Sequence, residues 1–159
     1  MIDVMLDTNV YCRPFDDLSD DEVLKEATAA YKIFQLSSVE LIEIRASDAL
    51  LAEISLISDS LKRSVVTYLI KISTREKVTV NNKVIETADL LHNTVNDYMD
   101  SLHIAFAAVS QCNYLITCDK ELLKKAGRIE SILSQKGFKL ELTDPANFLI
   151  KLEGQHENN

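Results

Sequence analysis

Apolar and polar positions along this chain switch between a period of two and a period near 3.6, and the switches mark out strands and helices. Ile2, Val4, Met5 and Leu6 form a short apolar run that stops at Asp7-Thr8-Asn9, the pattern of a buried strand ending in a polar cluster. Ser19 with Glu22 has capping-box spacing and predicts a helix through about Gln35, with Val23, Ala27, Ala30 and Phe34 along one stripe. In Leu41 to Ala46, Ile42 and Ile44 alternate with Glu43 and Arg45, which predicts a second strand. Ser47 or Asp48 then opens a helix on which Leu50, Ile54 and Ile57 share a face, with Glu53 at its edge. A helix over Ser60 to Ser73 should turn Leu61, Val65, Leu69 and Ile72 inward. Lys77 to Val80 reads as a third strand, and Val84 to Thr94 as a helix with Ile85, Ala88 and Leu91 or His92 inward.

The stretch from Asp100 to Cys112 differs in kind. Leu102, Ile104, Ala105, Phe106, Ala107, Ala108 and Val109 leave almost no polar face, so this helix should be buried on most sides. Tyr114 to Thr117 is a fourth strand, and like the first it runs out into an acid, here Asp119. A short helix from Glu121 follows, then Gly137-Phe138 leads into a last strand, Lys139 to Leu142. Thr143 or Asp144 caps a final turn with Pro145 at its start. Residues 1–152 read as one domain and 153–159 as a polar tail, expected to be mobile from Gln155 to Asn159. Strands alternating with helices predict an α/β sandwich around a mainly parallel sheet.

Composition narrows the function classes. A chain of 159 residues, 47% apolar and 26% charged, suits one globular domain with a proper core. Three Gly and two Pro argue against an all-β, loop-rich chain. No apolar run approaches the ~20 residues of a membrane span, and no signal-peptide pattern precedes the first strand. Cys12, Cys112 and Cys118 lack disulfide or zinc spacing, so a reducing cytoplasm is the expected home. The net charge of −8 is unusual for a protein that meets nucleic acid, but it is unevenly spread. Through Asp59 there are thirteen acids against four bases; beyond it, twelve against thirteen. Lys62, Arg63, Lys71, Arg75 and Lys77 form one basic group, and Lys120, Lys124, Lys125, Arg128, Lys136 and Lys139 another. These groups would either contact phosphates or form ordinary solvated faces.

The chemistry sits in four acids. Asp7 and Asp119 each end a strand, and Glu53 and Asp100 each adjoin an apolar helical face. One such Asp is more often a turn former, but the pattern repeats, and a compact fold could gather all four. Four carboxylates at one place repel unless protons or a cation intervene. Asp97 competes with Asp100 for the third position; Asp100 is preferred because the apolar helix begins directly behind it.

At these residues, from about Ile2 to Ile150, the chain resembles the PIN-domain nucleases, including the toxin halves of bacterial and archaeal toxin–antitoxin pairs. The family's first acid, in a strand-end DTN, falls on Asp7; the helical Glu falls on Glu53 in LLAEI. The third falls on Asp100 in DSLHIAFA, and the last on Asp119 in ITCD. The resemblance implies a three-layer α/β/α sandwich with a five-stranded sheet and the acids at its carboxyl edge. It implies Mg²⁺ or Mn²⁺ held by Asp7, Asp100 and Asp119, with Glu53 binding a second ion or orienting water. Thr8, Asn9 and Thr117 would support the acids with hydroxyl and amide groups. His103 is read as structural or supporting, because a hard cation prefers oxygen. The implied activity is hydrolysis of RNA, with an antitoxin and a second copy of the chain as protein partners. Two rivals stand beside it. A strand-end Asp also begins the haloacid-dehalogenase-type phosphatases, but their DxD is broken here by Asn9; a catalytically silent PIN-like binding module is the other.

Overall fold

The computed structural model describes residues 1–157. In chain order the elements are β1 (Ile2–Leu6), α1 (Thr8–Cys12), α2 (Asp21–Ser38), β2 (Ile42–Ser47), α3 (Asp48–Ser55), α4 (Ser60–Ser73) and β3 (Thr74–Val78). Then come α5 (Asn82–Val95), α6 (Tyr98–Val109), β4 (Tyr114–Ile116), α7 (Lys120–Lys124), α8 (Ala126–Gln135), β5 (Glu141–Thr143) and α9 (Pro145–Glu157). The five strands form one sheet in the order β3-β2-β1-β4-β5, and every pairing is parallel.

Side chains alternate across the sheet as a period of two requires. Val4, Leu6, Ile44, Tyr114 and Ile116 face one layer, where they meet Ala30 and Ile33 of α2, Val66 and Ile70 of α4, and Phe148 of α9. Met5 and Leu115 face the other, against Val84, Ala88 and Leu91 of α5, Ile104 and Phe106 of α6, and Ile129 and Leu133 of α8. Both faces of the central strands are therefore covered, which explains their nearly continuous apolar runs. The result is a three-layer α/β/α sandwich around a parallel sheet, as expected.

Several local expectations shift. Asp20, not Ser19, caps α2, accepting from the N–H groups of Glu22 and Val23. On α4 the buried pair is Val66 and Ile70, while Leu61, Tyr68 and Ile72 face outward. The apolar arc of that helix is wider than its buried stripe, so periodicity alone could not choose which part of it turns inward. Ile85 likewise sits at the rim of α5, whose buried stripe is Val84, Ala88, Leu91 and Val95. The third strand begins at Thr74 rather than Lys77, because α4 runs into it with no loop and Thr74 pairs with Ile44. It is an edge strand, where charged Arg75, Glu76 and Lys77 are tolerated and discourage further pairing. Helices α1 and α8 have no counterpart in the sequence reading. Helix α9 extends through Glu157, taking in residues expected as tail; Asn158 and Asn159 lie outside the described residues.

Candidate metal centre

The strand order places the site. From β1 the chain crosses to β2 on one side, and β4 pairs on the other, so a crevice opens beyond the carboxyl ends of β1 and β4. Asp7 and Asp119 follow those two strands. The Asp7 N–H still belongs to the sheet, donating to the Ile116 carbonyl at 2.9 Å. Its side chain then caps α1: Oδ1 accepts from the Thr8 N–H at 2.8 Å. Oδ2 accepts from Thr117 Oγ1 at 2.8 Å and from Asn9 Nδ2 at 3.1 Å. Asn9 reaches across as well, its Oδ1 accepting from the Cys118 N–H at 2.9 Å. The two strand-end motifs, Asp7-Thr8-Asn9 and Thr117-Cys118-Asp119, are thus latched together, and Asp7 is buried with its orientation fixed from both oxygens. Asp119 caps α7 through one oxygen, Oδ1, which accepts from the N–H groups of Glu121 and Leu122 at 2.9 and 3.1 Å.

The other two acids arrive on helices. Ser47 caps α3, accepting from the Leu50 N–H, and the helix carries Glu53 to the crevice. Glu53 Oε1 accepts from Thr8 Oγ1 at 2.8 Å and pairs with His103 Nε2. His103 lies one turn after Asp100 on α6, is 1% exposed, and its Nε2 stands 3.8 Å from Asp7 Oδ1. Asp7, Glu53 and His103 each bring one donor atom within 4.8 Å of the others. Asp97 proves to be the cap of α6, exposed and accepting from the Asp100 N–H at 2.9 Å, while Asp100 is half-buried behind it.

Charge in the crevice is out of balance. Burial, followed by the negative charges of Asp7, Asp97 and Asp119, pushes the Asp100 carboxyl up to about 6, with His103 offsetting part of the rise. The hydrogen bond from His103 holds Glu53 below the ordinary glutamate range against its burial. Burial would lower His103, but its bond to Glu53 and the charges of Asp7, Glu53 and Asp100 outweigh it and raise the imidazole. Oxygen donors with uncompensated negative charge suit a hard divalent cation. Several members of the basic groups are paired with acids: Lys62 with Asp16 at 2.8 Å, Lys77 with Asp48 at 3.4 Å, Lys120 with Glu22 at 2.6 Å and Lys124 with Glu121 at 2.8 Å. The largest cavity described, about 500 Å³, lies at the amino ends of β1 and β4, away from these acids.

With that geometry in view, the PIN domain profile matches residues 4–128, most of the chain. The chain belongs to the PIN-domain family. The fold of this PIN domain is also similar to that of a chain in the crystal structure of VapBC2 from Rickettsia felis bound to a DNA fragment from their promoter. That similarity has a TM-score of 0.57 at 16% identity, over 90% of this chain and 98% of that one. No curated protein sequence matches the chain. Thr8, Asn9 and Thr117 all donate hydrogen bonds to Asp7, and Thr8 also donates to Glu53. What the sequence did not show is the bond between His103 and Glu53; its only trace was the spacing of Asp100 and His103, three apart on one helical face.

Proposed function

We propose that this PIN domain is a metal-dependent endoribonuclease, the toxin of a toxin–antitoxin pair acting in the cytoplasm. The observation that supports the reading is that Asp7, Glu53 and His103 bring donor atoms within 4.8 Å of one another, while Asp7 and Asp119 lie close enough to help raise the Asp100 carboxyl. Asp7, Asp100 and Asp119 would hold Mg²⁺ or Mn²⁺, and such a cation would supply Lewis-acid polarisation of a phosphodiester and a lowered pKa for water. Asp7 is held ready by Thr8, Asn9 and Thr117, so little rearrangement is needed to present it. Glu53 has Oε1 engaged by the protein, which leaves Oε2 to orient the attacking water or to hold a second ion. Single-stranded or looped RNA suits the crevice because its backbone enters without melting a duplex. PIN domains are generally nucleases, and the three cysteines, all free, suit a reducing compartment.

Cleavage of several RNAs with Mn²⁺ or with excess chelator, beside Asp100→Asn, tests this reading. Asp100 is the best position, since its carboxylate makes no described hydrogen bond whose loss would unsettle the fold. Asp7→Asn is a poorer control, because an amide nitrogen would face one of the three donors now pointing at Asp7. Cleavage should require the metal and fall by at least ~100-fold in Asp100→Asn. Undiminished cleavage in chelator would overturn the mechanism, and activity confined to duplex DNA would overturn the substrate. An antitoxin and a second copy of the chain are the proposed protein partners. The outward Leu61, Tyr68 and Ile72 of α4 offer an apolar face for such contacts.

A further inference from the structure

Glu53 reaches the crevice on a helix of only eight residues, and a half-exposed glutamate on a short helix has many rotamers open to it. Two donors narrow that choice. Thr8 Oγ1 comes from α1, immediately after Asp7, and His103 Nε2 comes from α6, one turn after Asp100. Both meet the same oxygen, Oε1. A carboxylate only accepts, so His103 Nε2 must carry the proton it shares. We propose that His103 is a positioning residue for Glu53: its buried ring N–H fixes Oε1 and so turns Oε2 toward the crevice where the other acids meet. This rests on the nuclease reading for its consequence, but the contact itself does not.

An ordinary core histidine is the competing account, and its environment argues against it. The ring is almost wholly enclosed, yet its N–H is spent on a side chain 32% exposed from another element. A histidine serving the core alone would gain as much from a backbone carbonyl, without joining two elements of the site. Here the contact completes a chain from Asp7 through Thr8 and Glu53 to the helix of Asp100, so β1, α3 and α6 share one alignment. Groups that orient site residues in this way are worth roughly 10- to 100-fold in activity or metal affinity when removed.

The test compares the parent with His103→Gln and His103→Leu. Glutamine keeps a neutral N–H donor at a reach similar to Nε2; leucine fills the space without one. With Mn²⁺ and a single-stranded RNA, kcat should fall by roughly 10- to 100-fold in His103→Leu while KM moves by less than about twofold, and His103→Gln should recover most of the loss. Equal loss in both variants, or none in His103→Leu, would overturn the assignment. A readout without metal or substrate accompanies it: the ring N–H of His103 in the parent should give a downfield, slowly exchanging proton resonance that disappears in Glu53→Ala. A resonance unchanged by Glu53→Ala would overturn the contact even if leucine at 103 fails to fold. A parent that cleaves no RNA but shows the Glu53-dependent resonance would sink the nuclease reading and leave the positioning intact.

Discussion

Asp100 bears an unfavourable charge in the metal-free protein, and its titration gives the first prediction. Its folded pKa, about 6, lies above the ordinary aspartate value of 3.8 that the unfolded chain retains, chiefly through burial and then through Asp7, Asp97 and Asp119. The native state therefore holds its proton more tightly, and stability falls as pH rises from about 4 to about 6. Asp100→Asn escapes that loss. In chelator at pH 7 it should be more stable than the parent by about 1 kcal/mol, allowing for solvent screening of a half-exposed group. Below pH 4 the two should converge. Melting curves at pH 7 and near pH 3.5 check this, and an equal gap at both would contradict it. Asp16 titrates with the opposite sign: burial raises it, but Lys62 and Arg13 together hold it low. Its contribution is present above the unfolded pKa and is lost as pH falls through the folded one. At this scale Asp7 and Asp119 were the most legible acids, because each follows a strand whose apolar run is visible, whereas Glu53 and Asp100 lie within helices. The bonds of Asn9 to Cys118 and of His103 to Glu53 were not legible, since these partners lie 109 and 50 residues apart in the chain and meet only in the folded state.

Among the elements, α4 separates what periodicity shows from what packing decides. Ile70 is buried against the sheet and Ile72, two residues on, is 62% exposed. Ile70→Ala should cost ~2–5 kcal/mol by transfer and cavity terms, whereas Ile72→Ala should stay within about 0.5 kcal/mol. Denaturant melts of the two variants check the assignment, and a reversed order would restore the stripe read from the sequence. The same reasoning explains β3. Its first residues, Thr74 to Glu76, are polar or charged, so the apolar alternation from Lys77 announced the strand but not its start, which depends on pairing with β2. The central strands were legible because both of their faces are buried. Helix α8 carries Ala126, Ile129, Ile132 and Leu133 at helical spacing on one face, a periodic signal that the sequence reading passed over.

Across the whole molecule, charge and exposed apolar surface bear on partners. With a net charge of −8 and its crevice lined by acids, the chain should favour a basic or apolar protein segment over a further acidic one. Among the described residues, no helix is long and apolar enough to cross a membrane. Light scattering of the purified chain and co-purification from its native host test for a second copy and for an antitoxin; a lone monomer in both would contradict the expected partners. The central claim, that acids from four elements form one cation site, is tested most directly by the response of folding stability to Mn²⁺. Asp119→Asn removes one charge while keeping the α7 cap, since Asn and Asp cap about equally well. Ligands that bind the native state raise its melting temperature in proportion to their affinity. Four melting curves suffice: parent and Asp119→Asn, each with Mn²⁺ and with chelator. Convergence predicts that Mn²⁺ raises the parent's melting temperature and moves the variant much less, and that in chelator the variant melts above the parent; an equal Mn²⁺ shift in both proteins, or in neither, would contradict it.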